Sequence, residues 1–474
     1  MTIMSGLRRV PSAGAVDVGY PTGHLGHLTE HETQALADFK TLLEEKGLYK
    51  LGPPPSHDDP TLLCVVTICT LVRLVVLRTV LADLSRARAQ TRRYLRARKW
   101  VPQDAYVQFA DTEKFRNANE IETLYDTIDI DSYEASRKLY PRFTGHRDKR
   151  GIPIYVFQIR HLDSKAVADY EKSTETTYSK AKTDGKTPAK LLRLFALYEN
   201  LTRFVQPLSS ECVDRQNPET PITLSTNIVD ISHVSLRMFW NLKAHMQAAS
   251  QLATAHYPET LDRIFIIGAP YFFSTVWGWI KRWFDPVTVS KIFILSDHDV
   301  LPVLTTFMDL EDIPKVYGGK LEWSFFDEPA YDEEIKRIVT WENGFTNFPP
   351  GPCYWRPSAD GTRLECLAVG SKGSKERREV VCTIPKAFPP KSDSATETSA
   401  TNNEKEEVSE DASTTETVPK APLPRADDPE ATTAESTADA VAGLAIADAK
   451  DSTEQLSEKI ASLADGARNQ STLN

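Results

Sequence analysis

Cysteine is scarce and unpaired in this chain. Six cysteines occur in 474 residues, at Cys64, Cys69, Cys212, Cys353, Cys366 and Cys382, with no C-x-x-C among them. That pattern argues against a disulfide framework and a zinc site. The local signatures of several catalysts are also missing: no G-x-S-x-G elbow, no G-x-x-x-x-G-K-[ST] phosphate loop and no H-E-x-x-H metal helix. The opening MTIMSGLRRV has basic residues but no apolar stretch behind them, so no secretory signal is read. A reducing, cytoplasmic setting is expected.

Aromatic side chains are absent from the last 86 residues, 389–474, which are rich in Ala, Ser, Thr, Glu and Pro. Such a segment cannot bury enough apolar surface to offset its ordering entropy, and a disordered acidic tail is expected, with at most a marginal helix near 457–463. The tail carries 18 acidic and 7 basic residues, whereas residues 1–388 carry 48 and 49. The net charge of −10 is thus a property of the tail, and the part that folds is near neutral.

The most apolar run, residues 61–81, has the ~20-residue length of a membrane span. Arg73 and Arg78 lie inside it, each costing about 2.5–3.5 kcal/mol near a bilayer centre. Seven basic residues follow within residues 86–99. A membrane anchor with a positive flank and a buried or surface-attached helix both remain open on this evidence. The basic run lacks the interleaved aromatics or recognition module of a nucleic-acid binder, so nucleic acid is not expected as a partner.

Elsewhere the pattern is legible. Thr29 and Glu32 have capping-box spacing, and Leu36, Phe39 and Leu43 continue a helix to about Lys46. Another helical region is expected over about 93–116, with Leu95, Trp100, Tyr106, Phe109 and Ala110 as apolar landmarks. After Gly151, strands at 152–159, 222–231, 263–267 and 291–295 alternate with helices at 188–205, 235–257, 272–284 and a last one ending near Met308. That alternation predicts an α/β domain with a largely parallel sheet. Residues 327–388 carry Trp341, Phe345, Phe348, Tyr354 and Trp355 and read as an ordered extension of undefined fold.

Three local features could carry chemistry. Residues 271–284, YFFSTVWGWIKRWF, form either a helix buried on most sides or an aromatic face for a membrane interface. Ser225 and Asn227 share one face of a central strand with Val229, where they need polar partners from a ligand, water or the protein. Lys291 begins a parallel strand, exposed at its end or buried beside an anion. Asp297, His298 and Asp299 read as a helix cap and loop, and His233, His245 and His256 as structural or surface histidines. No catalytic residue and no metal ligand is assigned.

Taken together, residues 93–100 (RYLRARKW), 140–157 (YPRFTGHRDKRGIPIYVF) and above all 256–295, followed by IPKVYGGKLEW, resemble the CRAL-TRIO lipid-binding family and its phosphatidylinositol/phosphatidylcholine-transfer proteins. The resemblance implies a helical N-terminal lobe (26–125), a CRAL-TRIO lobe (126–326) whose sheet floors an apolar lipid cavity, the extension (327–388) and the tail (389–474). It implies a headgroup site made by Arg98, Lys99, Glu259, Thr288 and Lys291, cations for phosphate with a carboxylate and a hydroxyl for inositol. A second, choline-lipid headgroup site falls on Ser225 and Asn227, the latter standing where the family carries Thr. Phe272, Phe273, Trp277, Trp279, Ile280, Trp283 and Phe284 correspond to a mobile gate helix. Residues 64–92 interrupt the family pattern, as a retained intron or a real insertion would.

The resemblance therefore implies a monomeric carrier without enzymatic activity or cofactor, whose cargo is phosphatidylinositol, with phosphatidylcholine as a second ligand. It would exchange lipid transiently at membrane surfaces, Golgi or endosomal, or present it to lipid kinases. A carrier of a sterol or haem, and a membrane-tethered regulatory scaffold, are the competing readings.

Overall fold

The computed structural model describes residues 20–48, 90–281 and 289–387. The expectations for residues 64–89, for the acidic tail, and for Thr288, Trp283 and Phe284 fall outside the described residues, as do those for the side chains of Trp279 and Ile280.

The N-terminal helices pack by their apolar stripes. Helix α1, Glu30–Glu45, starts at a complete capping box: Thr29 Oγ1 accepts from the Glu32 amide and the Glu32 carboxylate accepts from the Thr29 amide at 2.8 Å. Its buried Leu36, Phe39 and Leu43 meet Tyr94 and Leu95 of α2, Gln90–Ala97, and Ala105 and Phe109 of α3, Pro102–Ala118. Each large side chain so buried contributes about 1.5–3 kcal/mol. The helical region expected over 93–116 consists of two helices. Lys99 (φ 50°) and Trp100 (φ 63°) take left-handed backbone, and Pro102 opens the next helix where its missing N–H costs nothing. Helices α4, Ile121–Thr127, and α5, Ile130–Arg137, complete this layer.

The central sheet has five strands in the order β1-β2-β3-β4-β5. They are β1 Arg142–Arg147, β2 Pro153–Gln158, β3 Ser225–Asp230, β4 Leu261–Ile267 and β5 Ile292–Ile294. Strand β1 runs antiparallel to β2, and the remaining pairs are parallel. The crossovers carry helices α6 (Ser164–Thr174), α7 (Ala189–Asn200), α8 (Gln206–Glu211), α9 (Leu236–His256) and α10 (Phe273–Ile280), with a π turn at Leu201–Val205 joining α7 to α8. This is the mixed α/β architecture with a mostly parallel sheet that the alternating pattern implied. Strand β1 escapes a pattern reading because its buried residues include Arg142 and Arg147. Arg147 reaches Asp214 (2.7 Å) and Asp332 (2.7 Å), so its charge is compensated inside.

Because strand side chains alternate, the sheet makes two cores. Ile154, Val156, Ile228, Phe265 and Ile267 pack against α11 (Val300–Phe307) and the chain through Phe325. Phe157, Val229, Ile264 and Ile266 face α7, α9 and α10.

The extension is a second sheet. After α12, Glu333–Ile338, come β6 Thr340–Trp341, β7 Cys353–Pro357, β8 Arg363–Lys372 and β9 Lys375–Pro385, arranged antiparallel as β6-β9-β8-β7. Trp355 stacks on Phe204 in the π turn (5.9 Å) and donates from its indole to the Phe204 carbonyl at 3.0 Å. Gly373 (φ 55°) and Ser374 (φ 64°) make the tight turn between β8 and β9, both central residues having the positive φ that a type I′ hairpin needs. That Gly-Ser pair between two alternating runs is the signal that reveals the hairpin in the sequence.

Candidate functional site: an apolar cavity beside a charged rim

A cavity of about 170 Å³ lies between the sheet and helices α9 and α10. Every residue lining it is apolar: the floor is Phe157, Val229, Ile264 and Ile266, and the roof includes Phe239, Met246, Phe273 and Trp277. A cavity so lined stays dry, since it offers water no hydrogen-bonding partner. Phe273 is 6% exposed and stacks on Trp277 (6.2 Å, 24°), so these two gate residues point into the interior. Phe272 lines the same space, whereas its neighbour Tyr271 is 97% exposed.

The volume is smaller than the sequence reading requires. At about 10–15 Å³ of this free volume per water-sized group, 170 Å³ holds roughly 11–17, against about thirty methylenes in two acyl chains. The stacked Phe273 and Trp277 rings occupy the space above the sheet, and a diacyl lipid enters only if α10 moves outward.

Lys291 and Glu259 come together across the β4–β5 edge. Lys291 Nζ donates to Glu259 Oε2 at 2.8 Å and to the Leu261 carbonyl at 2.9 Å. Each side chain is about one-fifth exposed, so the pair is reachable from solvent. Glu259 sits at φ 54°, in a left-handed turn between α9 and β4. Arg98 and Lys99 are exposed at the end of α2, and among the described residues neither bonds to Glu259 or Lys291. Arg96 faces inward from the same helix instead. Its guanidinium reaches Thr223 Oγ1 at 3.4 Å, and its stem lies against Gly23. The neighbouring His24 imidazole is pushed down to about 2 by burial and then by the Arg96 charge, with Lys291 adding a smaller effect in the same direction. Arg96 and Lys291 thus share one cationic neighbourhood. The helical interval from buried Arg93 to Arg96 was the available sequence signal.

Ser225 and Asn227 find their partners within the protein. Ser225 Oγ donates to the Thr260 carbonyl at 3.1 Å, and Asn227 Nδ2 donates to Ser225 Oγ at 3.1 Å. Both are buried, and Asn227 sits beside Ile264 on the cavity face of the sheet.

Behind the cavity wall, Glu199 of α7 is fully buried and accepts from Arg116 at 2.7 and 3.1 Å and from the Tyr257 hydroxyl at 2.7 Å. Arg116 belongs to α3, so this network ties the N-terminal helices to the cavity wall. His256 packs between Phe115 (4.6 Å) and Phe195 (5.4 Å), and burial with the Arg116 charge lowers its imidazole to about 4. His245 lies against Tyr140 and His233 is exposed. Asp297, His298 and Asp299 form an exposed turn leading into α11. No cluster of three or more metal-ligating side chains occurs among the described residues, and no helix among them is long and apolar enough to cross a membrane.

Residues 137–319, from the end of α5 to the turn after α11, match the CRAL/TRIO domain. Over these residues the chain is similar to the CRAL/TRIO family. The matched part contains the sheet, the cavity and the Lys291–Glu259 pair. The N-terminal helices and second sheet lie outside it. The chain is similar to the SEC14 cytosolic factor of Eremothecium gossypii, 26% identical over 326 residues, covering 69% of this chain and 87% of that protein. It is also similar to the phosphatidylinositol/phosphatidylcholine transfer protein SFH7 of Arabidopsis thaliana, 28% identical over 229 residues, 48% of this chain and 38% of the relative. Among solved structures, that of Sfh5 matches with a TM-score of 0.41 and 15% identity, over 65% of this chain and 96% of its own.

Proposed function

We propose that this protein is a phospholipid carrier that takes phosphatidylinositol out of one membrane and delivers it to another, or to a lipid kinase. The observation that carries the reading is a wholly apolar cavity on the parallel sheet, together with an accessible Lys291–Glu259 pair whose lysine precedes the cavity-lining Ile292 in the chain. The relatives' names, which include a phosphatidylinositol/phosphatidylcholine transfer protein, support the same cargo.

The physical need is clear from transfer energies. About thirty methylenes at ~0.8 kcal/mol each make two acyl chains roughly 20–25 kcal/mol unfavourable in water. An enclosed apolar chamber removes most of that cost. Lys291, with Arg96, Arg98 and Lys99 on the adjoining helix, supplies cations for the phosphodiester, and Glu259 accepts from inositol hydroxyls. Thr288 belongs to the same proposed headgroup set. No bond is made or broken in this cycle, so the protein acts as a carrier and not a catalyst. It works as a monomer in the cytoplasm, touching membranes transiently.

Mass spectrometry of lipids extracted from the purified full chain tests this directly. Phosphatidylinositol should be present at near-stoichiometric amounts. It should fall sharply in Val229→Trp, which places an indole in the cavity floor. A wild-type protein that carries a sterol or haem and no phosphatidylinositol would overturn the proposal.

A further inference from the structure

We propose that the second sheet carries a separate binding site for a single-chain anionic amphiphile, a long-chain carboxylate, in a cavity between α12, the start of β6 and the loop that ends at Phe348. The cavity measures about 370 Å³ and shares no residue with the one above the central sheet. It also lies beyond residues 137–319, the part that is similar to the CRAL/TRIO domain. At about 10–15 Å³ per water-sized group it takes roughly 25–37 such groups, enough for one acyl chain of about 16 carbons with its carboxylate. The apolar lining is Pro329, Ile335 and Val339 with the rings of Tyr331, Trp341 and Phe348. Phe348 stands 5.0 Å from each of the other two rings and packs on Phe204 at 4.9 Å and Trp355 at 6.2 Å. The aromatic wall is thus set by the core of the second sheet, and a wall fixed in advance leaves a ligand little ordering cost.

The polar lining selects the head group. Lys336 is the one charged residue among those lining the cavity. Asn347 accepts from the Phe348 amide at 2.9 Å through its carbonyl oxygen, which leaves its Nδ2 hydrogens to donate. Among the described residues neither those hydrogens nor the Trp341 indole N–H has a hydrogen-bonding partner. Burial pushes the Tyr331 phenol well up, so this hydroxyl also keeps its proton. The lining is rich in donors, and its ligand must bring acceptors; a carboxylate does so with a charge that Lys336 complements. Lys336 bonds to Glu333 at 2.8 Å, with the two side chains 58% and 91% exposed, a surface pair that an incoming carboxylate replaces at little cost. A neutral amphiphile would use the rings and leave Lys336 without a role.

Equilibrium dialysis of labelled decanoate, a soluble short member of the class, and of decanol against the full chain tests the site. The background is Val229→Trp, in which the first cavity is filled. Decanoate should bind saturably and more tightly than decanol. Lys336→Gln should weaken decanoate about tenfold and leave decanol unchanged. Glu333→Gln removes the competing carboxylate and should tighten decanoate by up to about fivefold, a gain that a merely structural pair would not give. Val339→Trp, which places an indole in this second cavity, should abolish binding of both ligands, and in a chain that keeps Val229 it should leave the phosphatidylinositol content by mass spectrometry unchanged. Should either tryptophan variant lose its native melting transition, the opposite shifts of Lys336→Gln and Glu333→Gln are read in the otherwise wild-type chain. Absence of saturable decanoate binding, equally tight decanol, or an unchanged affinity in a folded Lys336→Gln overturns the proposal. A chain without phosphatidylinositol that still binds decanoate through Lys336 would refute the carrier reading and spare this site.

Discussion

Replacing Lys291 with alanine separates a headgroup ligand from a structural lysine. In the structure Lys291 Nζ donates to Glu259 at 2.8 Å and to the Leu261 carbonyl at 2.9 Å, with both side chains about one-fifth exposed. An ion pair in partial contact with water contributes at most about 1 kcal/mol to folding, so Lys291→Ala should leave the melting transition nearly in place. A charge-assisted hydrogen bond to a phosphodiester is worth about 1.5–3 kcal/mol, or roughly 10- to 150-fold in affinity. Glu259 deepens the loss, because in Lys291→Ala its carboxylate faces the phosphate without a counter-ion. The double variant Lys291→Ala/Glu259→Gln should therefore bind phosphatidylinositol better than Lys291→Ala alone. Transfer of labelled phosphatidylinositol between vesicles measures the effect, and denaturant unfolding confirms the fold. Unchanged transfer in a folded Lys291→Ala would refute the headgroup role and leave the lysine as a strand-edge ion pair.

Two further outcomes follow from the buried polar groups. Glu199→Gln leaves the buried Arg116 without its bidentate partner, which should cost about 3–5 kcal/mol; a denaturation midpoint within error of wild type would contradict the burial of that network. His256 and His24 are held below their ordinary imidazole range in the fold, at about 4 and about 2. The unfolded chain binds their protons first, so the stability they preserve is complete above about pH 6.5 and declines as pH falls toward 4 and then 2. Melting temperatures should drop between pH 7 and pH 5, less steeply in His256→Gln, and a flat profile across that window would count against the neutral buried imidazoles.

What could be read from the sequence was whatever repeats along the chain. The capping box at Thr29 and Glu32, the alternation of strands and helices after Gly151, and the aromatic run from Tyr271 are local patterns, because helix and strand periods fix which side chains share a face. The family resemblance rested on the same contiguous residues. The second sheet was harder, since strands such as Arg363–Lys372 and Lys375–Pro385 acquire a core only by packing on Phe204 and its neighbours in the distant π turn.

Tertiary structure alone decided the direction of the charged side chains near the cavity. The left-handed turn at Lys99 and Trp100 ends α2 so that Arg98 and Lys99 stay exposed while Arg96 faces inward, and no residue count along the chain shows that. Likewise Glu259 meets Lys291 over 32 positions, and Ser225 and Asn227 satisfy each other and Thr260 because β3 and β4 are neighbours. The size of the cavity belongs to the same class. It depends on where Phe273 and Trp277 stack above the sheet, and packing in three dimensions, unlike periodicity, has no one-dimensional trace.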